Sequence, residues 1–177
     1  MTEIIIIGDG NDTALEKLIK STLSATYRVV YIKEHTMTDI GSGYELVCFD
    51  SRRPVLPGVQ DAVVIAKRSA VLLPELPKSC TVIIDSDKPG QTASALKNGT
   101  AAIDCGFSPT ATVSFTGETE EQLVISLNRS ITALSGREIQ PLEIPCPKRG
   151  ADTYTLMSFT ALRLLLDDFD SDLGQLI

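Results

Sequence analysis

Glu3-Ile4-Ile5-Ile6-Ile7-Gly8-Asp9-Gly10-Asn11-Asp12-Thr13 is the stretch on which the fold turns. Four consecutive β-branched residues favour a strand, and an apolar run without alternation fits a strand buried on both faces. Gly8 to Asp12 is turn chemistry. Over residues 13–25 the apolar side chains fall at Leu15, Leu18, Ile19 and Leu23, which is the spacing of one helix face. Asn11 or Asp12 is placed to cap that helix. Strand, glycine-bearing turn and helix in this order are the opening of a parallel α/β sheet.

Further strands are predicted over residues 27–32, 44–49, 61–66, 81–84 and 100–103. Residues 50–58 are turn-prone, and Pro74 and Pro77 break any long helix before residue 81. A short helix over 91–97 is ended by Asn98-Gly99. After Gly106 the pattern changes to alternation: Ala111, Val113 and Phe115, then Leu123, Ile125 and Leu127. Apolar stretches at 131–134 and 139–144 flank Ser135-Gly136-Arg137, a hairpin turn. A helix over 153–166 is apolar nearly all round and should be buried against a sheet or a partner. Residues 167–172 are acidic and read as a frayed tail.

The fold class is therefore α/β. One domain over 1–177 is expected: a mostly parallel, Rossmann-like or phosphate-loop-like sheet with helices over 1–106, an antiparallel meander over 107–148, and a closing helix over 153–168. Mixed sheets of this kind are common.

The 177 residues carry 43% hydrophobic side chains, enough for a sizeable core, and a net charge of -7. No basic stripe stands out, which excludes nucleic acid and anionic membrane surfaces as expected partners. The longest apolar runs fall far short of the ~20 residues of a membrane span. The N-terminus runs straight into a strand with no basic leader, so no signal peptide is expected and the protein is read as cytoplasmic. Cys48, Cys80, Cys105 and Cys146 are widely spaced without a CxxC pair and are read as buried reduced thiols. His35 is the only histidine and lies in a polar loop, with no nucleophile motif tied to it.

A glycine-rich turn between a first strand and a first helix can bind phosphate through converging backbone N–H groups and the helix dipole. A working phosphate loop also has a lysine that reaches the phosphates, followed by a Ser/Thr that holds magnesium. Here Thr13 takes the magnesium place and Asp12 the lysine place. That swap changes the local charge by two units and makes an interaction of about 4 kcal/mol at ~4 Å repulsive. Asp9 adds to it. ATP with magnesium is thereby disfavoured, and the cofactor stays unknown. The plainer reading is that the glycines only permit a tight turn.

At this point the order of elements resembles the central, ATP-binding domain of the Mur ligase family. The family's Gly-Thr-Asn-Gly-Lys-Thr/Ser loop lies over Gly8-Asp9-Gly10-Asn11-Asp12-Thr13, keeping the first glycine and the last threonine. Its Asn-x-Asp-Asp-Pro motif, near the adenosine, lies over Asp85-Ser86-Asp87-Lys88-Pro89. Asp87 and Pro89 match, while Asp85 and Lys88 depart. Ala151-Asp152 stand where the family's last helix begins with His-Asn. The resemblance implies cofactor-binding positions at Gly8, Asp9, Gly10, Asn11, Asp12, Thr13, Asp85 and Asp87, no catalytic residue and no metal ligand. It also implies losses. The segment between Lys33 and Thr81 is too short for the family's magnesium-binding glutamate, histidine and carbamylated-lysine region, and the domains for the nucleotide sugar and the incoming amino acid are not expected in this chain.

Three functions stay open on the sequence. The first is a non-catalytic Mur-ligase-like module that binds a small anion or a protein partner, linked to cell-wall precursor metabolism. The second is an enzyme using ATP or a sugar-nucleotide at the carboxyl ends of the parallel strands. The third is an accessory subunit, or a homodimer through the last helix. Arg52-Arg53-Pro54 and Lys148-Arg149-Gly150 are read as exposed loops, each able to grip a phosphate or carboxylate.

Overall fold

The structure, a computed structural model, describes residues 1–54, 61–148 and 150–168. The first strand, β1 (Thr2–Ile7), leads into α1 (Ala14–Thr22) and a 3-10 turn at Leu23–Ala25. There follow β2 (Tyr27–Lys33), β3 (Thr36–Ile40), β4 (Tyr44–Ser51), β5 (Val63–Ala66), β6 (Thr81–Asp85), α2 (Pro89–Asn98) and β7 (Ala101–Gly106). The remainder is β8 (Val113–Glu118), β9 (Gln122–Leu127), β10 (Ile131–Thr132), β11 (Glu138–Ile139), β12 (Leu142–Pro147) and α3 (Thr153–Leu165).

Ten of these strands form one sheet in the order β12-β9-β8-β7-β6-β5-β1-β4-β2-β3. From β2 through β4, β1, β5, β6 and β7 to β8 every neighbour is parallel. The sheet is thus mostly parallel α/β with an antiparallel extension, as the sequence pattern predicts. The isoleucine run explains the centre. Ile4 and Ile6 join the core on one face with Leu15, Leu18 and Ile19 of α1 and Met157, Ala161 and Leu162 of α3. Ile5 and Ile7 join the core on the other face with Val64, Val82, Ile84, Leu73, Leu76 and Ala95. A strand flanked by cores on both sides has no reason to alternate.

The last helix is buried from Tyr154 through Leu165. Asp152 caps it, accepting from the Thr155 amide at 3.1 Å and the Thr155 hydroxyl at 2.6 Å. The Tyr154 hydroxyl donates to the Ala66 carbonyl at the end of β5, at 2.5 Å.

Several local expectations are corrected. The polar stretch after His35 is not loop but β3, an edge strand antiparallel to β2, and His35 sits in the turn before it. Thr36, Met37, Asp39 and Ile40 are at least partly open to solvent, so this strand has no apolar face to announce it. The first strand of the meander, β8, joins the sheet parallel to β7. The apolar stretch 139–144 divides: β11 pairs with β10 in a separate two-stranded ribbon, whereas β12 pairs with β9. Pro141 lies at the break. In keeping with Pro74 and Pro77, no helix bridges β5 and β6; Ala70, Leu73 and Leu76 in that irregular connection cover the sheet face. The tail does not fray from its first residue, because Asp168 pairs with the buried Arg163 at 2.8 Å and Asp167 accepts from the Ser135 hydroxyl at 2.8 Å. Its residues 169–172, residues 55–58 of the predicted turn, and Arg149 lie outside the described residues. No described helix is long and apolar enough to cross a membrane.

Two substitutions grade the closing helix. Asp152→Ala removes a cap and is expected to cost about 1 kcal/mol, while Met157→Ala opens a cavity under the sheet and is expected to cost about 2–5 kcal/mol. Urea unfolding followed by circular dichroism measures both, and equal costs would contradict this picture of the helix.

Candidate functional site

The first turn closes around a lysine from elsewhere in the chain. Lys67 follows β5 immediately, and its amide donates to the Ile7 carbonyl at 2.8 Å, which carries the β1–β5 pairing one step beyond the strands. Its side chain passes beneath the turn. The ammonium donates to the carbonyls of Asp9 at 3.1 Å and Asp12 at 2.8 Å. It also meets both carboxylate oxygens of Asp50, at 3.0 and 2.9 Å. The two side chains are 2% and 0% exposed. Asp50 accepts in addition from the Tyr31 hydroxyl at 2.8 Å. Burial, and after it the Asp50 carboxylate, pushes the Tyr31 hydroxyl far above its ordinary value, so it remains a donor.

The turn fits this lysine closely. Gly8 has φ of +149°, and a Cβ there would lie 2.6 Å from the Lys67 Cβ and 2.8 Å from the Ser69 Oγ. Only glycine satisfies both constraints.

Five amides in and beside the turn are spent inside the protein. Gly8 donates to the Ser51 carbonyl, Asp12 to the Asp9 carbonyl, Asp9 to the Ser69 Oγ, Asn11 to the Asp9 carboxylate, and Ala14 to the Asp12 carboxylate. A phosphate nest turns N–H groups inward. This one turns the carbonyls of Asp9 and Asp12 inward, onto a cation.

The carboxylates leave in different directions. Asp9 pairs with Arg52 at 2.5 Å, and that hydrogen bond is the main reason its carboxyl is held below the ordinary value. Asp12 acts as a local cap through Ala14. Thr13 holds the N-cap position of α1 without a side-chain cap, and its carbonyl accepts from Lys17. Asp85 is buried and accepts from the Arg68 Nε at 3.1 Å and from the Asp87 amide at 2.9 Å. Asp87 is exposed. Gln91, fully buried, accepts from the Asp85 amide at 2.8 Å and donates to the carbonyls of Lys67 and Ala70 at 2.9 and 2.7 Å. Of the predicted positions Gly8, Asp9 and Asp12 meet Lys67 directly; Gly10, Asn11 and Thr13 belong to the same turn without a hydrogen bond to it, and Asp85 is linked to the Lys67 carbonyl through Gln91. Among the described residues no three His, Cys, Asp or Glu side chains are grouped so as to hold a metal ion.

This geometry revises the electrostatic expectation. A carboxylate does stand at the lysine position of the sequence, yet a cation stands at the centre of the turn. Its charge is paired with the Asp50 carboxylate.

No protein-family model matches the sequence, and neither does any curated protein. Solved structures do match. Escherichia coli FolC, solved in complex with DHPP and ADP, superposes with a TM-score of 0.59 at 11% identity, over 97% of this chain and 55% of that one. The murein peptide ligase mpl from Psychrobacter arcticus 273-4 superposes with a TM-score of 0.55 at 11% identity, over 92% of this chain and 43% of that one. The fold is Mur-ligase-like. The chain spans about half the length of the proteins it matches, and at such identity the likeness concerns the fold alone.

Lys67, Asp50, Tyr31, Arg68 and Gln91 were not among the residues singled out from sequence. A signal exists only once strand order is known: Asp50 and Lys67 lie at the ends of the two strands that flank β1, where Ile7 pairs with Ser51 on one side and Ala66 on the other.

Lys67→Met leaves the Asp50 charge buried without its partner and should cost about 3–5 kcal/mol in urea unfolding at neutral pH. The double variant Lys67→Met, Asp50→Leu should recover part of that loss; a double variant as weak as both singles combined would contradict the coupling. A pH series adds a second check. Burial, then Asp50, pushes the Cys48 thiol from 9.0 up to about 12. The folded state holds the protonated form, so this contribution is intact below about pH 9. It is lost as pH rises toward 12, by at most ~1.4 kcal/mol per unit. Cys48→Ser should flatten that decline.

Proposed function

We propose that this chain is a divergent, shortened Mur-ligase-like module that does not use ATP and acts as a small-molecule-binding or regulatory accessory domain. The observation that carries this reading is the Lys67 ammonium inside the first turn, held by the carbonyls of Asp9 and Asp12 and by Asp50. The centre of the turn is filled by a side chain, and the amides of Gly8, Asp9, Asn11 and Asp12 are engaged within the protein. The residues present do not fit a nucleotide triphosphate with magnesium at Gly8 to Thr13, so no chemical step is drawn through one.

A nucleotide-using enzyme at the carboxyl ends of the strands would need Asp9, Asp12, Asp85 and Asp87 to converge. Asp9 goes to Arg52, Asp12 to its own helix, and Asp85 to Arg68, which supports the module instead. The likeness to a murein peptide ligase supports a role near cell-wall precursor metabolism, where a non-catalytic module would act by holding a ligand or a partner.

Calorimetric titration of the full chain with ATP and magnesium tests the reading. No saturable heat is expected at concentrations up to ~1 mM, and no phosphate release above that of buffer. Micromolar binding accompanied by hydrolysis would overturn it.

A further inference from the structure

Beside the closed turn lies an open cleft. It has a volume of about 680 Å³ and is lined by Ile7, Gly8 and Asp9 after β1, Arg52 and Arg53 after β4, and Ser69 to Leu72 after β5. That volume is in the range of small-ligand sites. Its position follows from strand order. The chain runs from β1 to strands on one side of it, β2 and β4, and then crosses to β5 on the other. Gly8 and Asp9 after β1, Arg52 and Arg53 after β4 and Ser69 to Leu72 after β5 therefore surround one opening at the carboxyl ends, which is where open α/β sheets hold ligands.

The chemistry of the lining is uneven. Asp9 is neutralised by Arg52, a pair bonded at 2.5 Å. Arg53 is exposed, and its guanidinium has no partner among the described residues. The cleft thus carries one unbalanced positive charge on a planar fork of donors suited to an oxyanion. The Ser69 Oγ accepts from the Asp9 amide at 2.8 Å, so its own proton is free to donate. The opposite wall is apolar: Val71 is 75% and Leu72 65% exposed. Two large apolar side chains left in water beside an unpaired arginine describe an amphiphilic ligand rather than a bare ion.

We propose that this cleft binds a small organic oxyanion, a carboxylate or phosphate ester, with its anionic group on Arg53 and Ser69 and its apolar body on Val71 and Leu72. The inference rests on the reading of the chain as a ligand-binding module and names its ligand class. It assigns the anion to arginine in the neighbouring cleft and not to the backbone of the first turn.

The test is an amide NMR titration of the full 15N-labelled chain with butyrate and with butyl phosphate, using acetate and inorganic phosphate as probes without the apolar body. Saturable shifts are expected at Gly8, Asp9, Arg53 and Ser69 to Leu72, with a dissociation constant of roughly 0.1–5 mM for the better butyl probe. Whichever butyl probe binds tighter assigns the head group. Arg53→Gln, at an exposed position, should weaken that probe about tenfold. Val71→Ser with Leu72→Ser should weaken the butyl probes and leave acetate and phosphate unchanged. Shifts that stay linear to ~50 mM, or an Arg53→Gln chain that binds as well as the parent, overturn the proposal while leaving the closed turn intact. Shifts centred on Asn11 to Thr13 would place the anion in the turn itself, overturning both.

Discussion

One buried ion pair organises this end of the sheet. Lys67 and Asp50 meet where neither side chain reaches water, and taking two charges out of solvent is costly unless every donor and acceptor finds a partner. The ammonium meets that condition with Asp50 and two carbonyls of the first turn, and Asp50 with Lys67 and Tyr31. Four segments are tied together in this way: the turn after β1, the end of β2's Tyr31 side chain, the end of β4 and the start of the loop after β5. The shape of the turn is a consequence. The Asp9 and Asp12 carbonyls face the cation, the amides of Gly8, Asp9, Asn11 and Asp12 find other partners within the protein, and Gly8 must be glycine to let the lysine stem pass. The pair's contribution to stability is modest in net terms, but its contribution to geometry is large, because any arrangement that breaks it buries an uncompensated charge.

Fold and site were legible to different degrees, for a physical reason. The isoleucine run of residues 4–7, the helix spacing from Leu15 to Leu23 and the apolar closing helix are periodic patterns that many residues share, so they survive local exceptions. The parallel sheet and its buried helix follow from them. Edge strand β3 failed to announce itself because only Ile40 at its end packs against the core and no residue of it is fully buried, and β12 was blurred by the proline that separates it from β11. The site has no such redundancy. Lys67 opens the Lys67-Arg68 pair after the apolar stretch 62–66, where charges ordinarily mark the return to solvent. Nothing in linear order connects it to a turn 55 residues earlier or to an aspartate 17 residues earlier. Only the strand order, with β4 and β5 on either side of β1, brings the three together. Asp12 was the visible half of this arrangement, a missing lysine in the loop, and Lys67 is the other half.

The Mur-ligase-like fold therefore does not carry a function by itself. Its layers depend on apolar burial that any chain with the same pattern can supply. What a first turn does depends on which groups face its centre. Here the Lys67 ammonium stands at the centre of the strand–turn–helix frame, and an open cleft lies beside it, lined by Ile7 to Asp9, Arg52, Arg53 and Ser69 to Leu72.

Direct observation of the Lys67 ammonium tests this account at its centre. In a chain labelled with 15N-lysine, an ammonium enclosed by Asp50 and the two carbonyls exchanges its protons slowly with water and gives a visible Nζ resonance near neutral pH, one that is lost in Lys67→Met and unmoved by ATP with magnesium. An ammonium in rapid exchange, or one whose resonance shifts as nucleotide is added, would contradict a turn closed from within.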